Sequence, residues 1–107
     1  MAYAMTVHTP LGDEKFVLNL PVGDDCGSAH MFKGSFDFTE FRKVNETYFL
    51  SGNSLVPFDC GIRVQCTPVE DMLTGVVQIL DPHTGHSMLE CPIDGHVSSN
   101  PHPWSEQ

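Results

Sequence analysis

Three histidines are the first residues in this sequence that could do chemistry: His83, His86 and His96. Two histidines three apart can meet on one metal ion where a bent turn brings them together, and Glu90 or Cys91 could join them. The turn exists, as Asp81-Pro82-His83-Thr84-Gly85. Yet histidines beside a hairpin tip are also what a solvated turn presents, and zinc sites show tighter framing. The surface reading is preferred: no metal and no cofactor is assigned. Asp37 and Glu40 are the second candidates. A carboxyl inside an apolar barrel would have a raised pKa and could act as general acid or base, whereas on a solvated strand face it is ordinary. Arg63, mid-strand between Ile62 and Val64, would recognise an anion or a carbonyl if it pointed inward. If it points outward, it pairs with Asp59, Glu90 or another carboxylate. Tyr48 can orient a ligand through its hydroxyl if it is buried, or sit at a rim with that hydroxyl in water. No G-x-S-x-G, phosphate-binding glycine loop or H-E-x-x-H motif occurs.

The elements that must position these groups read as strands. In Glu14–Leu20, Phe16, Leu18 and Leu20 share a face, because side chains alternate sides along a strand. Tyr3–Val7 and Ser28–Lys33 are shorter runs. In Ser35–Arg42, Phe36 and Phe38 share a face and Phe41 falls out of phase, which either a bulge near Thr39-Glu40 or a single helical turn would repair. Further runs follow at Thr47–Gly52, Phe58–Thr67 and Met72–Leu80. Gly75 inside the last implies a bend or a close neighbour. His86–Cys91 pairs back across the Asp81–Gly85 turn. Pro92 ends that ladder or marks an edge, and Ile93–Val97 is a last short strand. No segment carries a useful helical stripe. Strands at this spacing predict an all-β, antiparallel, up-and-down barrel of about eight strands. Closure removes exposed edges, and such a barrel either fills with side chains or holds one small ligand.

Length and charge bound the rest. The chain has 107 residues, enough for one domain with a modest core. Residues 1–97 are assigned to the barrel and 98–107, polar and proline-rich, to a flexible tail. With 14 acidic and 5 basic residues the net charge is −9, which repels nucleic acid and anionic membrane surfaces. No signal peptide or apolar span is read at the N-terminus, so a cytoplasmic location is expected. There Cys26, Cys60, Cys66 and Cys91 would be thiols, behaving as small hydrophobes.

Thr9-Pro10-Leu11-Gly12-Asp13-Glu14-Lys15 resembles the opening T-P-M-G-x-x-K of a family of small bacterial β-barrel proteins of uncertain function. Val44–Ser54 resembles that family's V-D-G-N-x-L-x-F-x-G step, with Asn45-Glu46 at the turn where glycine is expected. Thr74-Gly75-Val76-Val77 resembles its I-S-G-T-V step, and Val56-Pro57-Phe58-Asp59 stands where T-P-M-G would recur. The resemblance implies a calycin-like barrel of repeated hairpins and a loose association with small-molecule metabolism. It supplies no catalytic motif.

Two functions are expected from these features. The first is a module that binds a small apolar molecule, with isomerase or cyclase chemistry a further expectation. Tyr48, Phe36, Phe38, Ile62, Arg63 and Asp37 would line its site, and Leu18, Leu50, Val64, Val77 and Ile79 would belong to the same wall. The alternative is a structural or interaction protein whose barrel is filled by its own side chains and which self-associates.

Overall fold

The computed structural model describes residues 2–21, 23, 25–31, 34–54 and 60–98. The expected tail beyond Ser98, with Trp104, and the start of the expected strand at Phe58-Asp59 lie outside them. Among the described residues nine antiparallel strands form one sheet: β1 Ala2–Thr9, β2 Gly12–Asn19, β3 Ser28–Met31, β4 Gly34–Asp37, β5 Glu40–Val44, β6 Thr47–Ser54, β7 Cys60–Val69, β8 Met72–Leu80 and β9 Ser87–Val97. The spatial order is β4-β3-β2-β1-β9-β8-β7-β6-β5, and the sheet curls into a half-barrel. It is two meanders joined by a single non-local ladder, in which Tyr3–Val7 of β1 pairs with Ile93–Val97 of β9.

Alternation decides which face is buried. Tyr3, Met5, Phe16, Leu18, Leu50, Val64, Cys66, Leu73 and Ile93 all fall on one face of the register, and all are buried in one cluster. The opposite face carries Lys15, Arg63, Gln65, Glu90 and Asp94, all exposed. One apolar and one polar face is what an antiparallel sheet in water requires.

Of the two devices that would bring Phe41 back into phase, the structure uses the bulge. Glu40 is the register partner of Ser51, and Thr39 N also donates to Ser51 O at 2.9 Å. Two residues thus stand against one, which bends the strand and returns Phe41 to the face of Phe38. On the other side of the bend Phe38 N donates to Gly27 O at 3.0 Å. The run from Gly34 to Val44 therefore leaves β3 at Phe38 and joins β6 at Thr39. That switch of partner divides the expected Ser35–Arg42 strand into β4 and β5. It also makes the two edges of the sheet consecutive in the chain.

Pro92 does not interrupt β9, which runs through it from Ser87 to Val97 as one strand rather than two. The ladder to β1 begins only at Ile93, so on that side Pro92 faces no partner and its missing N–H costs nothing. On the other side it pairs with Val76.

Gly75 and Gly95 sit on the inward face where strands approach most closely. A Cβ on Gly75 would collide with Gln65 O and come within 2.7 Å of Cys66 Cα. A Cβ on Gly95 would collide with Ala4 O and come within 2.8 Å of Met5 Cα. Neither position has room for a side chain.

Candidate functional site

The inward face was the expected pocket wall. Leu18, Leu50 and Leu73 each have 0% of their surface accessible. A void large enough for a water molecule beside them would leave them some. Phe38 and Val64 are buried in the same cluster, and Ile62, Val77 and Tyr48 pack against it half-buried. Phe36 stands opposite Ala29 in the β3–β4 ladder. Cys60, Cys66 and Cys91 are buried, and none of them is in a disulfide. Burial pushes the Cys66 thiol up to about 12, so it stays protonated and unreactive.

The polar groups expected in that wall are elsewhere. Arg63 is exposed on the outer face, in a row with Ser51 and Gln78. Of the carboxylates expected to pair with it, Asp59 lies outside the described residues and Glu90 accepts a hydrogen bond from Gln78 Nε2 at 2.8 Å. Asp37 is also exposed, opposite Ser28. Strand phase places both outside the wall: each is one residue out of step with its buried neighbours. Glu40 is exposed as well. Tyr48 is on the inward face but half-buried, with Lys43 Nζ 5.1 Å from its ring centre. The buried phenol is Tyr3, whose pKa is raised chiefly by burial, then by the charges of Tyr48, Cys66 and Asp71. The alternation Tyr3-Met5-Val7 was a visible signal for it.

The three histidines do not converge. His83 lies in the turn before β9, and His86 directly precedes that strand. His96 lies near the strand's far end, about 30 Å away at 3.3 Å per residue. The turn has its own explanation. Asp81 Oδ1 accepts hydrogen bonds from His83 N at 2.7 Å and Thr84 N at 3.3 Å, and these bonds hold the Asp81 carboxyl below its ordinary pKa. Among the described residues no group of three or more His, Cys, Asp or Glu side chains could hold a metal ion.

One charged cluster was not anticipated. His8 Nε2 lies 2.8 Å from Asp94 Oδ2, and His8 Nδ1 lies 3.0 Å from Asp13 Oδ1. Both ring nitrogens face carboxylates, so both bonds form only when each nitrogen carries a proton. The hydrogen bonds to Asp94 and then Asp13 raise the His8 pKa. The Asp13 half was legible, because a tight Thr9–Gly12 turn places His8 opposite Asp13. The Asp94 half needs the β1–β9 ladder, which no local pattern reveals. The cluster spans that ladder on the outer face and ties β9 to β1 and β2.

A pH dependence follows from it. A raised histidine pKa stabilises the fold fully below the unfolded value of about 6.5, and the contribution is lost as pH rises through the folded value. The melting temperature is expected to fall between pH 6 and pH 8 by more in the parent protein than in His8→Gln. Melting curves at about 0.5-unit pH steps check this, and identical slopes for the two proteins would contradict it.

Compared with known proteins, the chain matches no protein-family model, no curated protein and no solved structure. Its site must therefore be read from its own geometry. Among the described residues no buried side-chain nitrogen or oxygen lacks a hydrogen-bond partner. No helix among them is long and apolar enough to cross a membrane.

Proposed function

We propose that this chain is an interaction module: a barrel filled by its own side chains, which works through its surface and associates with itself. The observation that carries this reading is the complete burial of Leu18, Leu50 and Leu73 on the face that would have to line a pocket. The fold we propose is a calycin-like barrel. Counting the bent run Gly34–Val44 as one strand reduces the nine strands to eight, with β3 on one side of it and β6 on the other.

A second reading, the binding of a small apolar molecule with or without isomerase or cyclase chemistry, is favoured by one row of residues. Ile62, Ile79 and Leu89 are neighbours on the inward face, none is fully buried, and Leu89 keeps 40% of its surface. A shallow apolar mouth there would suit a ligand better than the centre of the barrel. A thermal-shift and dye-displacement screen with apolar compounds separates the two readings, because a ligand that binds only the folded protein stabilises it in proportion to occupancy. The interaction reading expects no saturable shift. A stoichiometric, saturable stabilisation would replace it with the second.

A further inference from the structure

Val69 and Met72 stand side by side on the outer face, flanking the Glu70-Asp71 turn between β7 and β8. They keep 63% and 50% of their surface exposed, on a face that elsewhere shows Arg63, Gln65 and Asp94 to the solvent. The strip continues toward Val44, which is exposed beside the turn between β5 and β6. Between these turns Thr47 and Thr67 direct their hydroxyls at each other, 2.9 Å apart, so their polar atoms are engaged within the strip. Glu46, Glu70 and Asp71 form an exposed polar rim around it. An apolar strip with a polar rim is the form of a contact surface.

What covers the strip is set by where the chain goes next. Val97 N donates to Asp71 O at 2.9 Å and Ser98 N to Ala2 O at 3.1 Å, so the chain leaves β9 at the end of the sheet that carries the strip. β9 is flanked by β8 and β1, so the residues that follow find no open strand edge beside it. His96 is the register partner of Met72. Strand spacing and rise then put Ser98 about 8 Å from Met72 and about 12 Å from Val69. Residues 99–107 read Ser-Asn-Pro-His-Pro-Trp-Ser-Glu-Gln and hold the one tryptophan of the sequence, Trp104. From Ser98 the chain can carry Trp104 at most about 20 Å. That reaches Met72 and Val69 with length left for a turn, to which Asn100-Pro101 is suited. It does not reach the exposed Leu89, about 30 Å back along β9. The chemistry agrees with the reach. An indole sets its ring on apolar side chains and keeps its N–H in water or on an acceptor, which Glu70 and Asp71 offer at the rim. The Met72 thioether adds a favourable sulfur contact to the ring.

We propose that the segment 99–107 folds back over the β7–β8 turn of its own chain and seats Trp104 on Val69 and Met72. The contact lies within one chain, so it does not depend on the self-association proposed above. A partner that binds this part of the outer face must first displace Trp104.

Because Trp104 is the sole tryptophan, its fluorescence in the full chain reads this contact alone. Compared with the same protein unfolded in urea, the parent is expected to emit at shorter wavelength and to be quenched by acrylamide about threefold less steeply. Val69→Ser combined with Met72→Ser should abolish most of that difference. Leu11→Ser, at the far end of the sheet, should leave it unchanged. All three positions are exposed, and circular dichroism verifies that each variant is folded. Parent emission and quenching equal to those in urea overturn the proposal. Shielding that survives in V69S/M72S also overturns it, because Trp104 then sits elsewhere, and so does an equal loss in L11S. Shielding that fades on dilution from about 100 µM to about 1 µM overturns it as well, since the strip is then covered by Trp104 of a second copy.

Discussion

Gly95→Ala is expected to cost more than about 3 kcal/mol of folding stability, enough to unfold much of the population. Gly95 lies between Met5 of β1 and Leu73 of β8. A methyl group there would strike Ala4 O, Met5 Sδ at 2.5 Å and Met5 Cα at 2.8 Å. Two of these belong to backbone that is already paired in a ladder, so they cannot move aside as a side-chain tip could. The site also matters more than its size. The β1–β9 ladder is the one that joins the two meanders, and forcing it open separates them. Gly95 is not among the glycines of positive φ, so the cost is collision, not loss of conformational freedom. Gly61→Ala is the contrast. Its nearest neighbour would be Leu80 Cβ at 3.3 Å, which small adjustments absorb, and a loss within about 1 kcal/mol is expected. Urea midpoints at unchanged m-value compare the two. Equal losses would show that close approach at Gly95 does not decide the cost.

Leu50→Ala carries the second large effect. Leu50 sits on β6 between Phe41 of β5 and Val64 of β7, and none of its surface is accessible. Its truncation forfeits the transfer of three heavy atoms' worth of apolar surface and leaves a cavity that the surrounding strands can collapse only in part. About 3–5 kcal/mol is expected, against a total of about 5–15 for a typical domain. Phe41→Ala, in the same row, should cost less than about 1 kcal/mol, because Phe41 keeps 42% of its surface exposed. The pair separates burial from mere membership of the inward face. A small loss at Leu50 would mean that the interior is already loose there.

How much of this was legible in the sequence follows from what each feature depends on. Met72–Leu80 and the break of phase at Thr39-Glu40 could be read, because β-branched runs and the phase of successive phenylalanines are local signals. The change of partner at Phe38-Thr39 could not, since it depends on which strands flank the bend. Pro92 was half legible. It marks an edge, but only on the side where β1 has not yet begun to pair. The register of β1 against β9 joins residues about ninety positions apart, and with it went the Asp94 side of the His8 cluster.

The candidate site was less legible for one physical reason. A strand pattern says which residues share a face, and Arg63 and Asp37 were legible as out of phase with their buried neighbours. It does not say whether that face encloses a hollow. That depends on how tightly the sheet curls, which no local pattern reveals; at Gly75 and Gly95 the neighbouring backbone leaves no room for a Cβ.

Methyl-resolved NMR under xenon pressure measures this directly, because xenon enters apolar cavities and shifts the methyl signals around them. For the parent protein the signals of Leu18, Leu50 and Leu73 should not move. For Leu50→Ala, the signals of Leu18 and Leu73 nearest the new cavity should shift and saturate. Saturable shifts of these leucines in the parent protein would contradict a filled barrel.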